Sequence, residues 1–471
     1  MDLIEVEIDN ESKYEKGLFI FRRDLRGFDN TALIKATNEC KEVLCVFIFT
    51  PTQITNNKYK SDSCVQFMCE SLIHLKKYVP VKCFYGESLS VLKELLEYFK
   101  FEAIYVNMDY TPFSRKRDSQ IEKWCTSPER DIKFHSFEDI MLHPIQIDGK
   151  PVLLNKTDKP YTTYTFYKNA ARQLDVPFPQ KLTRNNFYTN KIRDELTKED
   201  MAGFFKMNKN IHVNGGRKNA LKILKKLTDF KEYKFTRDLP AMNTTNLSAY
   251  HKFGCVSIRE VYHAILSTFR DQEDHPLIDQ LIWRDFYYYL LWHYPHSQNG
   301  SFHSKFDKLE WDDNTKLFKK WKTGNTGFPL VDAGMRQMNT TGYMHNRVRM
   351  VCAQFLVKNL LINWKVGELY FATKLVDYDP AQNVGNWQWN ASTGIDRFRF
   401  GVRIFNPFQS DKYDSEAVYI KKWVPELTDV EPRDIHKWSS DMKDKYDSNY
   451  SAPIVDHRAM AIEFKKRYAR V

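Results

Sequence analysis

Five β-rich runs separated by helix-forming stretches constrain the fold of the first part of this chain. Between the runs, segments such as 88–101 carry apolar residues at helical spacing, for example Leu92, Leu95 and Phe99. Strands that alternate with helices pair in parallel, because each helix carries the chain back to the same end of the sheet. The sequence therefore predicts a doubly wound α/β domain over residues 14–140, with a parallel sheet of five strands. The five runs are 18–22, 43–50, 81–85, 103–107 and 132–137.

The rest of the chain follows two other patterns. Residues 141–212 are rich in Lys, Asn and Thr and hold five prolines, which is typical of a long connector. Over residues 213–471 β-rich runs become rare, and apolar residues such as Ile223 and Leu227 recur at helical spacing. We therefore expect a Rossmann-like domain, a linker that lies over both domains, and a larger helical domain.

Composition narrows the partners and the compartment. The net charge of +11 favours a polyanionic partner, either nucleic acid or a membrane surface, because binding releases counterions. No apolar run approaches the roughly 18 residues that a spanning helix needs, and the first residues are acidic where a secretion signal is cationic. The eight cysteines form no C-x-x-C pair and no zinc-type spacing with histidine, so we expect neither disulfides nor a metal site. We expect a soluble intracellular protein, in the cytoplasm or the nucleus, with a monomer as the default oligomeric state.

One segment near the C-terminal end, 377–407, combines two acids, an amide and two tryptophans beside a basic, aromatic run. Such polar groups need partners if they are buried, and the indoles offer flat surfaces for stacking or electron transfer. A planar cofactor with polar edges would satisfy both needs. Helix capping explains the two acids equally well on their chemistry alone. The five residues are Asp377, Asp379, Asn383, Trp387 and Trp389.

The run N-T-T-G-Y-M-H-N-R-V-R-M at 339–350 predicts a helix with an unusual face. Asn346, Arg349 and Met350 fall on one side by the i, i+3, i+4 rule, and Arg347 turns toward a neighbouring side. A surface helix with two solvated arginines is the ordinary explanation of such a pattern. An amide, an arginine and a methionine that share a buried face would instead suit a ligand.

Two loops carry further polar residues. The run N-T-T-N-L-S at 243–248 supplies three hydroxyls that suit a pyrophosphate, although an ordinary helix N-cap explains them as well. The run F-R-R-D-L-R-G-F-D-N at 21–30 follows a predicted strand, and its Asp29 or Asn30 is placed to cap the next helix.

Taken together, these four runs resemble the photolyase and cryptochrome family, most closely the class I photolyases for cyclobutane pyrimidine dimers. The resemblance spans nearly the whole chain. It implies an N-terminal α/β domain of the antenna type, a linker, and a helical FAD-binding catalytic domain. It also implies light-driven repair of UV-damaged DNA, in which photoexcited reduced FAD passes an electron to a flipped-out dimer.

The same resemblance assigns roles to residues of this chain. Asn383 would face the reactive nitrogen N5 of the flavin, and Arg349 would pair with Asp377. An electron-hopping chain from the flavin to the surface would consist of Trp387, Trp364 and Trp311. Contacts with the lesion or DNA would come from Gln280, Trp283, Arg347, Met350 and Trp389. The FAD-binding residues would be Tyr233, Arg237, Thr244, Thr245, Leu247, Ser248, Asn346, Arg349, Asp377, Asp379 and Asn383.

Two features bear on the substrate and on a second chromophore. Dimer photolyases carry Asn and Met at the positions of Asn346 and Met350, but they carry Glu where this chain has Gln280, as (6-4) photolyases and cryptochromes do. Repair of the (6-4) photoproduct and a cryptochrome-type photoreceptor without repair activity therefore remain alternatives. Thr111 and Pro112 stand where folate-using relatives carry an acid, which disfavours methenyltetrahydrofolate as antenna. A deazaflavin, another flavin or no antenna stay open.

Overall fold

The computed structural model of the chain describes residues 12–147, 149–270, 274–395, 402–408 and 410–471. The part of the predicted 377–407 run between 396 and 401 therefore lies outside the described residues. Among the described residues, none of the helices combines the length and the apolar character that crossing a bilayer requires.

The N-terminal region contains the predicted five-stranded sheet. Its strands are all parallel and lie in the order β3-β2-β1-β4-β5, so the expectation of a doubly wound sheet is confirmed. The central strand pairs on both sides, with Phe19 opposite Cys45 on β2 and opposite Tyr105 on β4. The strands are β1 (Tyr14–Phe21), β2 (Cys40–Phe49), β3 (Lys82–Tyr85), β4 (Ala103–Asn107) and β5 (Lys133–Phe137).

Alternate residues of β1 serve two different cores, because successive side chains of a strand point to opposite faces. Leu18 and Ile20 pack with the helices that cover one face. Phe19 and Phe21 belong to the core on the other face, which continues into the helical region. The helices of this region are α1 (Thr31–Glu39), α2 (Pro51–Ile54), α3 (Asp62–Leu75), α4 (Ser88–Phe99) and α5 (Pro112–Cys125).

The connector that follows packs against both regions, as its length led us to expect. The Asn186 side chain donates to the Cys40 carbonyl at 2.7 Å, and the Tyr164 hydroxyl donates to the Asp279 carbonyl at 3.0 Å. Its regular elements are the antiparallel pair β6 (Gln146–Ile147) and β7 (Lys150–Pro151), and the helices α6 (Tyr164–Ala171) and α7 (Lys198–Ala202).

From residue 217 onward the regular elements of the described chain are helical, in agreement with the prediction. One helix, α17, packs against α12, α15 and α16, and this group surrounds the site described below. The helices are α8 (Arg217–Leu224), α9 (Tyr233–Thr236), α10 (Ser248–Lys252), α11 (Ile258–Thr268), α12 (Pro276–His293), α13 (Thr315–Thr323), α14 (Pro329–Thr341), α15 (Asn346–Lys358), α16 (Trp364–Ala372), α17 (Pro380–Ala391), α18 (Asp411–Asp414), α19 (Val418–Trp423), α20 (Pro432–Ile435), α21 (Ser440–Lys445) and α22 (His457–Ala469). Short 3₁₀ turns occupy Leu227–Phe230, Pro295–Gln298, Ser304–Lys308 and Pro425–Leu427.

Candidate active site

A cavity of about 750 Å³ opens among the helices α9 to α12 and α15 to α17. This volume falls within the range of about 300 to 1,000 Å³ that is usual for small-molecule and cofactor sites. All eleven residues expected to bind FAD and all five expected to contact the lesion or DNA line its wall. The cavity therefore brings together side chains that are more than 150 positions apart along the chain, such as Tyr233 and Trp389.

The 243–248 loop contributes hydroxyls to the cavity wall rather than a helix cap. The helix that follows starts at Ser248, and its N-cap residue, Leu247, has no capping side chain. The capping explanation of this loop is therefore wrong. Thr244 lies with its hydroxyl 3.3 Å from that of Tyr343, and Asn246 adopts a left-handed backbone with φ of 53°. Hydroxyls held in a partly exposed loop beside a cavity are suitable donors to a phosphate.

Asp377 is held by the ion pair that the resemblance implies. The Arg349 guanidinium donates to both of its carboxylate oxygens, at 2.9 and 3.1 Å. The same arginine donates its Nε to the Met344 carbonyl at 2.7 Å, just before α15 begins. Because both groups line the cavity, this pair fixes one part of the wall relative to α15.

Asp379 caps α17, which confirms the helix-capping explanation that the sequence left open for this acid. Its Oδ1 accepts hydrogen bonds from the backbone nitrogens of Ala381 and Gln382, at 3.0 and 3.4 Å. Burial by itself would raise the pKa of this carboxyl, but the charges of Arg23 and Lys252 outweigh that effect and hold the pKa well below its usual value. Asp379 is therefore a buried carboxylate on the cavity wall, and its contact with FAD stays a prediction.

Asn383 is oriented by a residue that the sequence did not point to. Its side-chain nitrogen donates to the Glu368 carboxylate at 3.0 Å and to the Glu368 carbonyl at 3.2 Å. The amide oxygen is therefore the atom left for the cavity side. Burial raises the pKa of Glu368 to about 7, although bonds from Asn383 and Tyr378 oppose the shift. Glu368 thus titrates near neutral pH directly behind the amide.

One of the three tryptophans expected in the hopping chain reaches the cavity. Trp387 lines the wall, and its ring lies 4.9 Å from Phe371 and 6.3 Å from Trp321. Trp364 is buried at the start of α16, and Trp311 is partly buried with its ring 6.3 Å from that of Phe464. Neither of these two lies on the cavity wall, so the order of the chain stays a prediction.

A second part of the wall carries the residues expected to meet a lesion. Trp283 is held flat by Tyr164 of the connector, with ring centroids 3.5 Å apart and planes 8° apart. Gln280 lies one turn earlier on α12, where its side-chain nitrogen donates to the Pro276 carbonyl at 3.4 Å. Arg347 is engaged by Asp238 at 2.7 Å, a partner that the sequence did not reveal.

Basic side chains add positive charge around the cavity. Arg237, Lys252 and Arg284 line it together with the two paired arginines of α15. Burial, reinforced by Arg284, lowers the pKa of the neighbouring His251 to about 3, so this ring is neutral. A flat, partly apolar wall, loop hydroxyls, amides and several cations are the groups that a flavin ring and a diphosphate require. The residues present therefore fit FAD.

Comparisons with known proteins agree with this geometry. Residues 277–470 match the family model of the FAD-binding domain of DNA photolyase, and residues 18–183 match that of DNA photolyase. A deoxyribodipyrimidine photo-lyase of Buchnera aphidicola is 35% identical over 94% of both chains. The chain belongs to the DNA photolyase family. It is accordingly an enzyme of the carbon-carbon lyase type, with FAD as its cofactor.

Two solved structures of the same family resemble the fold closely. An archaeal photolyase from Sulfolobus tokodaii, solved with two FAD molecules, has a TM-score of 0.85 and 39% identity, covering 97% of this chain and all of that one. A class III photolyase from Agrobacterium tumefaciens has a TM-score of 0.88 and 30% identity, covering 98% and 99%. The archaeal structure is described as implying a novel light-harvesting cofactor.

Proposed function

We propose that this protein repairs cyclobutane pyrimidine dimers in UV-damaged DNA, using light. The observation that carries the proposal is the placement of Asn346 and Met350. Both line the cavity that also holds the flavin-type residues Asp377 and Asn383, and they are the residue types that dimer photolyases carry at these positions. The residues predicted to hold the cofactor and those predicted to meet the lesion thus line one and the same cavity.

Aromatic, amide and basic groups of the protein favour binding of a flipped-out substrate in the cavity. Trp283 and Trp389 are partly exposed aromatic surfaces in the cavity wall, and aromatic stacking of extruded bases contributes about 1 to 3 kcal/mol per base. Gln280 offers an amide that donates and accepts hydrogen bonds at base carbonyls. The net charge of +11 favours contact with phosphates on either side of the lesion.

FAD, when bound and reduced, supplies the light-driven electron for this chemistry. The residues of the chain act on its surroundings. The Glu368 carboxylate holds the Asn383 amide with its oxygen free for a donor in the cavity, and Trp387 provides a buried indole next to the same space. We propose that electrons pass inward from Trp311 through Trp364 to Trp387 and so activate the cofactor. Repair itself needs none of these three residues.

Gln280 favours a second candidate, repair of the (6-4) photoproduct. The test is repair of two duplex oligonucleotides, one with a single dimer and one with a single (6-4) product, by FAD-loaded protein in blue light and in darkness. We expect dimer repair in light only, and no repair of the (6-4) product. Repair of the (6-4) product alone would transfer the assignment to the second candidate, and flavin photochemistry without repair of either would indicate a photoreceptor.

A pair of tryptophan variants locates the substrate in this assay. Trp283→Ala should lower dimer binding by about one to two orders of magnitude, because it removes one stacking surface. Trp423→Ala is the matched control, since Trp423 is also a partly exposed tryptophan but lies outside the cavity wall. Equal losses in both variants would show that the cavity is not where the lesion binds.

A further inference from the structure

An arginine of the N-terminal region contacts Asp379 of the cavity wall. Arg23 follows β1 in the 21–30 loop and is nearly buried, with 11% of its side chain exposed. Its Nη2 donates to the Asp379 carboxylate and to the Tyr288 hydroxyl. Its Nε donates to the Lys252 carbonyl at 3.2 Å, and its Nη1 lies 3.5 Å from the Asp109 carboxylate. Each guanidinium nitrogen therefore has a partner, and the partners come from four different segments.

The carboxylate that Arg23 holds controls the start of α17. Oδ1 of Asp379 caps the helix, as described above, while Oδ2 is taken by Arg23 and by the Tyr288 hydroxyl. Both oxygens of the carboxylate thus accept hydrogen bonds. The group cannot rotate without breaking either the cap or the ion pair. One turn and two turns beyond the cap, the same helix presents Asn383 and Trp387 to the cavity.

Arg23 is the cation that pairs with two buried carboxylates at once. Asp379 and Asp109 are both buried, with 4% and 9% of their side chains exposed. The cations that act on them are Arg23 and Lys252, with Arg117 near Asp109 and with Arg284 near Asp379, where its guanidinium lies 4.9 Å from the centre of the Tyr288 ring. Asp377, Cys64 of α3, Tyr288 and Tyr378 are further titratable groups in the same field. Loss of Arg23 would remove the ion-pair partner of both buried carboxylates and leave them with the more distant charges of Lys252, Arg117 and Arg284, which is costly in a low-dielectric setting.

We propose that Arg23 is a positioning residue of the FAD site: by holding Asp379, it sets where α17 presents Asn383 and Trp387 to the flavin. The sheet-bearing region is then part of the flavin site and not merely a carrier for an antenna. The proposal rests on FAD binding, which the family membership establishes, and not on the type of lesion repaired. Its tests therefore need no DNA, and a failure of dimer repair would leave them unaffected.

The test compares Arg23→Gln with a matched control in the same loop, Arg26→Gln. Arg26 is also buried and also links the two regions, through the Gly254 carbonyl at 3.3 Å, while it pairs with Asp139 of its own region at 2.5 Å; within the described part of the chain none of its hydrogen bonds reaches α17. Both changes should lower the thermal midpoint. Arg23→Gln alone should release FAD about tenfold faster and lower the yield of light-driven flavin reduction severalfold, because it removes a charge-assisted hydrogen bond to the cap. Arg23→Lys, which keeps the charge, should recover part of both effects.

The pH dependence of the FAD signal distinguishes a positioning role of Arg23 from a general loss of protein stability. In the wild type, Arg23 keeps Asp379 ionised far into acid, so the cap is lost only when the pH falls through a strongly depressed pKa. In Arg23→Gln, burial is opposed by less positive charge, and the acid loss of the visible circular dichroism of FAD should move to higher pH by about one unit or more. Arg26→Gln should leave this midpoint where it is in the wild type.

Tyr288→Phe keeps the test decisive if Arg23→Gln does not fold. This change removes the other donor to Oδ2 of Asp379 and retains the ring, so it should shift FAD release and the acid midpoint in the same direction by a smaller amount. Equal flavin effects in Arg23→Gln and Arg26→Gln would overturn the proposal, because both would then act through stability. Unchanged flavin properties in Arg23→Gln, or in Tyr288→Phe should it be the variant that folds, would overturn it as well.

Discussion

Adding one methyl group to α16 should disturb Trp387, which borders the cavity proposed to bind the flavin. A Cβ built on Gly367 would lie 2.3 Å from Cη2 and 2.6 Å from Cζ3 of Trp387, and 2.4 Å from Cδ2 of Leu356. Carbon atoms in contact are about 3.5 to 4.0 Å apart. In Gly367→Ala, either the indole or the helix must therefore move by about 1 Å.

The free energy of this movement follows from the packing around the indole. Trp387 is 2% exposed and is enclosed by Phe371 and Trp321, so it has little room to retreat except toward the cavity. Overpacking of this kind costs about 1 to 3 kcal/mol, whereas replacing glycine by alanine in a helix returns about 0.5 to 1 kcal/mol. The net loss of stability is therefore modest, about 0 to 2.5 kcal/mol, and the position of the indole is the more sensitive property.

The assay is light-driven reduction of oxidised FAD, followed by absorbance, beside thermal unfolding of the same samples. Gly367→Ala should reduce slowly and show altered flavin absorption, while its thermal midpoint falls by a few degrees at most. Val366→Ala, an exposed neighbour on the same helix, should match the wild type in both measurements. Wild-type reduction kinetics in Gly367→Ala would refute the reasoning, because they would mean that the indole is not confined against α16.

Three further changes test single residues of the site. Trp387→Phe should abolish light-driven reduction but spare repair by protein whose FAD was reduced chemically beforehand; normal photoreduction would assign the indole a packing role. Glu368→Gln should remove a flavin spectral titration near pH 7, since burial gives this carboxyl a pKa of about 7 and its ionised form accepts from Asn383; a titration that persists would have another source. Gln280→Glu should keep dimer repair and either tighten lesion binding by about 0.5 to 3 kcal/mol or raise the quantum yield modestly, without gaining (6-4) activity in a two-lesion assay.

The sheet was readable from the sequence because its inner strands, β1, β2 and β4, are largely buried on both faces. Continuous apolar runs such as 43–50 and 103–107 leave few alternatives to a parallel strand. The predicted ends of the strands were less accurate than their number. The first strand begins at Tyr14, four residues before the predicted run, because at its N-terminal end Lys16 pairs in register with Glu42 of β2. Pairing with a neighbour, and not hydrophobicity, extends the strand there.

The wall of the cavity was also largely readable, because it is built from short local motifs. The residues that orient those motifs were not. Arg23 and Asp379 are 356 positions apart, and Glu368 reaches Asn383 only because α16 and α17 pack together. Tyr164, which holds Trp283 flat, lies in a connector without a clear pattern. Such partners depend on tertiary packing, which no local spacing encodes.

The role of a polar residue could not be predicted where the same sequence pattern has two explanations. Asp379 and the 243–248 loop were both open to a capping role. The structure assigns that role to Asp379, whose Oδ1 accepts from Ala381, and denies it to the loop, whose residues precede an uncapped helix. Both explanations satisfy the same local chemistry, and only the path of the chain distinguishes them.

The central claim, that one cavity holds both the cofactor and the lesion, is tested most directly by a crystal structure. The protein with FAD and a duplex that carries one cyclobutane pyrimidine dimer should show the dimer outside the helix, between Trp283 and Trp389, with the flavin against Asn383. A dimer that remains stacked in the duplex, or a flavin bound away from Asn383, would contradict the account.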